Sequence, residues 1–152
     1  MTFTSIIQQF IQENIDEYIE VSSDCECFEC DIEEEVIYIP TKANKEDTDM
    51  FMRFIEQKYK EYRLDPTVIG ILHEVGHIMM YDESLDKARE IAVLRMRLNF
   101  NNSNISLEEY NFNYFKLPAE LNATIWAIDF YRNNREKCSV LAEELRGAAA
   151  VE

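Results

Sequence analysis

The sequence predicts an α+β domain, mostly helical, with a small sheet of two to three strands near the N-terminus. Apolar residues recur at three- and four-residue steps through most of the chain, the mark of amphipathic helices. Between Cys25 and Pro40 the period shortens to two, the mark of strands. With 47% hydrophobic residues and only three glycines and three prolines, the chain has the composition of an ordered globular protein. A length of 152 residues suits a single domain, 1–152, with its own core. No internal repeat or interdomain linker is evident.

Taken in order, Ile7, Phe10, Ile11, Ile15, Tyr18 and Ile19 predict a first helix from about Thr4 to Glu20, capped by Thr4 or Ser5. Cys25 and Cys27 alternate with acids, and Glu35 to Ile39 is a β-prone run stopped by Pro40, so a hairpin or two neighbouring strands are expected. Thr41 to Asp49 reads as a loop. Phe51, Phe54, Ile55, Tyr59 and Tyr62 mark a second helix over about Asp47 to Arg63. Asp65-Pro66 supplies a capping side chain and a residue that needs no amide partner, so a helix should run from Pro66 to Tyr81. Gly76 inside it costs stability relative to alanine, which suggests a closely passing backbone or space needed beside a site. Ser84 should cap a helix to about Leu98 whose Ile91, Leu94 and Leu98 face the core, followed by an asparagine-rich loop from Asn99 to Ile105. Ser106-Leu107-Glu108-Glu109 has capping-box form, Leu117-Pro118-Ala119-Glu120 opens a helix to about Asn133, and Cys138, Val140, Leu141 and Leu145 mark a last one. The tail from Gly147 is expected to fray.

The formal charge of -15 disfavours nucleic acid and anionic membrane surfaces as partners. Met1 to Phe10 has neither the basic start nor the apolar run of a signal peptide, and no apolar stretch approaches a membrane span. Cys25, Cys27, Cys30 and Cys138 are therefore expected to be reduced thiols in a cytoplasmic protein. The spacing C-E-C-F-E-C fits no common structural zinc site, so buried strand cysteines are the default for that cluster.

The chemistry concentrates in I-L-H-E-V-G-H-I-M-M, Ile71 to Met80, which holds both histidines of the chain, His73 and His77. Helical positions i and i+4 point the same way, so two imidazoles can share one metal ion with Glu74 beside them, the H-E-x-x-H arrangement for zinc. The competing reading, a solvated surface helix, conflicts with the apolar flanks Val68, Ile69, Ile71, Leu72, Ile78, Met79 and Met80. A catalytic zinc ion takes three protein ligands, and with no third histidine the last must be an acid or a thiolate. The main candidates are Glu90 and Glu120. Glu120 is the better one, because it opens a mostly apolar helix whose Ala119, Ala123 and Ala127 permit close approach, whereas Glu90 sits among charges. Thr124, one turn on, either accepts a hydrogen bond from a metal-bound imidazole or bonds back to its own helix. Tyr114 and Tyr131 are available as oxyanion donors, with core packing as their alternative role.

H-E-V-G-H followed by an E-x-x-A helix, in a small domain with a leading helix and strands, resembles the ImmA/IrrE family of minimal zinc metallopeptidases, which are zincin-like. The likeness runs from about Glu35 to Asn133, and Tyr114 to Glu120 with Ala123, Thr124, Trp126 and Ala127 resembles phage and mobile-element forms. The resemblance implies Zn2+ on His73, His77 and Glu120, and Glu74 as general base. Thr124 stands where many relatives carry Asn or Asp. The expected activity is hydrolysis of a specific intracellular protein, which in some relatives is a transcriptional repressor. The alternative is a protein-binding module that keeps the fold without proteolysis, its zinc structural or absent. The run Val36 to Ile39, if at a sheet edge, would add an extended peptide as a further strand.

Overall fold

A computed structural model describes residues 1–42 and 44–151, with the side chains of residues 150 and 151 left aside. It is the α+β domain expected: among the described residues there are seven helices and a three-stranded sheet near the N-terminus, which packs on the first helix and on the histidine helix. None of these helices is long and apolar enough to cross a membrane.

Helix α1 spans Phe3–Asn14 and is capped by Thr2, whose hydroxyl accepts from Ser5 N, so the helix starts and ends earlier than its apolar spacing suggests. The residues beyond it leave the helix for β1, Glu20–Ser22, a strand not anticipated from the sequence. The Gln8 amide explains the break. It donates to Ile19 O (2.8 Å) and accepts from Val21 N (2.6 Å), tying the outer edge of β1 to α1. Strands β2, Glu29–Asp31, and β3, Val36–Tyr38, form the expected hairpin, and β1 pairs with β3 in parallel, giving the order β1-β3-β2. The Val36 to Ile39 run is thus central rather than marginal. A parallel partner on one side and an antiparallel one on the other leave it no free edge for a peptide, and the unpaired edge nearest the histidine helix belongs to β2.

Helix α2, Lys45–Tyr59, ends where Lys60 turns left-handed (φ 55°). Helix α3, Pro66–Met79, is the axis of the molecule. Asp65 caps it, accepting from Val68 N at 3.0 Å, and every residue from Ile71 to His77 is buried. Helix α6, Pro118–Asn133, packs along it in the most extensive helix pair of the fold, and α7, Arg135–Val151, closes the far side with Cys138, Leu141 and Leu145. The tail is helical through Val151 rather than frayed, and Val140 is exposed. Helix α5, Leu107–Phe115, begins as expected, with Ser106 accepting from Glu109 N.

Helix α4 departs most from expectation. It runs Glu83–Asn102 from an Asp82 cap, absorbs part of the supposed asparagine-rich loop, and has no buried residue. Ile91, Leu94 and Leu98 are 53–64% exposed, and the half-buried face is instead Leu85, Arg89, Ala92, Val93 and Met96.

Candidate metal centre

The helical repeat of α3 stacks the two imidazoles one turn apart, with ring centroids 4.7 Å apart and their Nε2 atoms 3.1 Å apart. The first turn of α6 delivers Glu120, 2% exposed, with Oε1 at 3.2 Å from His73 Nε2 and Oε2 at 2.9 Å from His77 Nε2. Close approach of the helices makes this reach possible. A Cβ on Gly76 would lie 2.5 Å from Ala123 O, so the second helix passes against bare backbone, as the cost of a mid-helix glycine suggested.

The donor set fits a metal ion. Thr124 donates its only hydroxyl hydrogen to Glu120 O (2.9 Å), so it must accept from His73 Nδ1 (3.1 Å). Both readings of Thr124 therefore hold at once, and together they place a proton on Nδ1 and turn the Nε2 of His73 toward the cluster. There it meets a second imidazole nitrogen and a carboxylate, all buried, so something positive must lie among the three, either protons or a cation. Two nitrogens on a tetrahedral ion, each at 2.0–2.1 Å, would stand roughly 3.3 Å apart, close to the spacing seen. Among the described residues, His73, His77 and Glu120 are the group whose donor atoms converge in this way. Glu90 is exposed and plays no part.

The Thr124→Val substitution keeps the shape but leaves Nδ1–H without an acceptor. We expect metal affinity to fall about 10- to 100-fold, measured by chelator competition, with Thr124→Ser recovering most of it.

Glu74 lies beside the three donors and is buried, 8% exposed. Burial pushes its carboxyl up to about 7, and the charge of Glu120 adds to that, while His77, Arg89 and a hydrogen bond with the Cys30 thiol pull the other way. Cys30, half-buried on β2, therefore touches Glu74, a contact the cysteine spacing could not reveal. The default of buried strand cysteines is only partly met. Cys27 is exposed and bonded to Glu29, and Cys25 donates to Cys27 O, both outside the strands. All four thiols are free.

Of the two tyrosines, Tyr114 is at the site. Its hydroxyl is hydrogen-bonded to Glu120, and burial, with that carboxylate, raises its pKa. Tyr131 is not. Its hydroxyl accepts from Asp65 N (3.0 Å) at the start of α3, eight residues before His73 and so about 12 Å down the helix. It supports the cap of the histidine helix and cannot serve as an oxyanion donor.

Arg89 was missed by sequence reasoning. Reaching in from α4, it donates to Glu120 Oε2 (2.8 Å) and pairs with Asp86, while its 3.5 Å approach to His77 Nδ1 is too long to fix that ring's proton. The only available signal was the spacing of Leu85, Arg89, Ala92 and Met96, a helical face interrupted by a charge.

Burial raises the cost of ionising Glu120, yet hydrogen bonds from His73 and His77 hold it well below the usual carboxylate range. Two cavities meet at Glu74, Tyr114 and Glu120: one of about 240 Å³ with mainly apolar walls and a wider one of about 660 Å³ with charged walls. Comparison of the chain with protein-family models, with curated proteins and with solved structures finds no match in any of the three, so the side chains themselves are the basis for assigning chemistry.

Proposed function

We propose that the protein is a zinc-dependent peptidase of the ImmA/IrrE kind that its motifs resemble. The observation that carries this reading is the division of labour within one buried cluster: three converging donors, and a second buried acid, Glu74, that faces the cavities instead of joining them. A structural zinc site closes on four protein donors and has no use for such an acid, whereas a catalytic one keeps a position open. The same point counts against a binding module without catalysis.

His73, His77 and Glu120 would hold the ion. When bound, zinc lowers the pKa of a water and polarises a peptide carbonyl. Glu74 takes the proton of the attacking water on its carboxylate and returns it to the leaving amide nitrogen. Thr124 keeps His73 in the tautomer that ligation needs, and Arg89 and Tyr114 orient the Glu120 carboxylate. The open edge of β2 is the place for an extended peptide to add as a strand beside Glu74. Four free thiols suit the reducing cytoplasm, and the resemblance points to a specific intracellular protein, such as a transcriptional repressor, as substrate.

The test has two parts. Purified protein saturated with zinc and then desalted should retain one ion per chain, and His73→Ala should retain none. A proteome-derived peptide mixture incubated with the loaded protein should yield new N-termini that vanish when a chelator is added. Absence of stoichiometric zinc, or termini indifferent to chelation, overturns the assignment.

A further inference from the structure

We propose that the smaller cavity is a recognition pocket for one bulky apolar side chain of the substrate, so that cleavage falls next to a large apolar residue. This rests on the peptidase reading above. The walls of the cavity are Phe28, Phe51, Met52, Ile69 and Phe115, and it opens onto His73 and Glu74. Phe51 packs edge-on against the His73 ring, with centroids 5.0 Å apart, so a group seated in the pocket lies one ring away from the metal donors. At about 240 Å³ the space suits a single side chain of leucine or phenylalanine size rather than a longer segment.

Two features make the pocket selective. Gly70 lies one turn before Glu74 on the same face of α3, and a Cβ there would come within 2.8 Å of the Phe28 ring. Glycine thus lets the Phe28 ring come close against the helix, between the pocket and the wider cavity, both of which it lines. On the other side of that ring Glu29, Arg89, Glu90 and Arg97 bring charges into a wall they share with Val93 and Leu94. Substrate crossing the site therefore meets a narrow apolar slot on one side of Glu74 and a wider trough carrying charged groups of both signs on the other. Phe51, Met52 and Phe115 are only partly buried, so covering them removes apolar surface from water. Glu26 and Asp47, both exposed, also line it and repel an acidic side chain.

The probes are the hydroxamates of alanine, leucine, phenylalanine, aspartate and lysine, which share one metal-binding head, titrated calorimetrically into the zinc-loaded full chain. We expect the leucine and phenylalanine compounds to bind roughly 10- to 100-fold tighter than alanine hydroxamate, and the aspartate compound no better than it. Thr48→Trp, which fills the pocket from a half-buried position on α2, should erase the gain and leave alanine hydroxamate unchanged. Met52→Ala, which widens it, should cut the gain several-fold and serves if the first variant fails to fold. Equal affinity across the side chains, or tightest binding of the aspartate or lysine compound, overturns the pocket assignment while leaving the peptidase reading in place. Failure of every hydroxamate to bind zinc-loaded protein removes the peptidase reading and this inference with it.

Discussion

The Glu74→Gln protein is expected to keep its zinc and to lose hydrolysis by about 10²- to 10⁴-fold, the usual contribution of a positioned general base. Glutamine matches the shape of the glutamate and fills the same buried place, but it takes up no proton. Because the converging donors are His73, His77 and Glu120, metal affinity should change by no more than a few-fold. Residual hydrolysis at the parent rate would show that Glu74 is not the base. A second consequence concerns the metal-free protein. The Glu74 carboxyl is pushed up from 4.5 to about 7, first by burial. For an acid shifted upward, the favourable contribution of the protonated form is complete below pH 4.5 and disappears as pH rises through about 7. With chelator present at pH 8, Glu74→Gln should therefore be more stable than the parent by up to about 3 kcal/mol, an advantage that fades toward pH 4.5. A gain in denaturant midpoint that does not vary with pH would contradict this origin. Activity and stability thus pull against each other at one residue, as expected where a reactive acid is kept from water.

What the sequence revealed and what it concealed follow from how locally each feature is specified. The histidine pair, its base and the cap of α3 lie within fifteen residues, Asp65 to Met79, and helical geometry alone fixes their relation. Glu120 was reachable because its helix carries alanines where another helix must come near, and Ala123 does lie against Gly76. Strand β1 was hidden because the apolar spacing of α1 continues through Ile15, Tyr18 and Ile19. The helix ends at Asn14, and the side chain of Gln8, bonded across to Ile19 and Val21, holds the returning strand against it. Helix α4 misled in a different way. Ile91, Leu94 and Leu98 form an apolar stripe that reads as the buried face, yet they turn outward, and the face of Leu85, Ala92, Val93 and Met96 turns inward with Arg89, which meets the carboxylate of Glu120. Two apolar faces compete along this helix, and the ion-pair partner of the inward one, Glu120 on a distant helix, is contained in no single-sequence pattern. The contact of Cys30 with Glu74 was hidden for the same reason, since it forms where β2 packs on α3, two elements remote in sequence.

The Gly76→Ala protein is expected to be destabilised by about 2–3 kcal/mol and to bind zinc at least tenfold more weakly, with the two losses arising from one displacement. A Cβ at position 76 would stand 2.5 Å from Ala123 O and 3.0 Å from Ala123 Cα, both backbone atoms, so no side chain can rotate aside and the helices themselves must part. Alanine recovers about 0.5–1 kcal/mol through its better helix propensity, which is too little to offset overpacking along the largest helix contact of the fold. Ala123 lies between Glu120 and Thr124 on α6, so any retreat of that backbone carries the third donor and the acceptor of His73 Nδ1 away together. Gly147→Ala is the control. A Cβ there meets nothing within 4 Å and its φ is not positive, so the same exchange should stabilise α7 by about 0.5–1 kcal/mol and leave zinc affinity alone. Thermal melts with and without chelator separate the two effects, since a protein weakened only in its packing would bind zinc normally below its melting temperature. If Gly76→Ala melts with the parent and binds zinc as tightly, the helices do not approach as closely as the site requires, and the convergence of Glu120 on the two histidines loses its support.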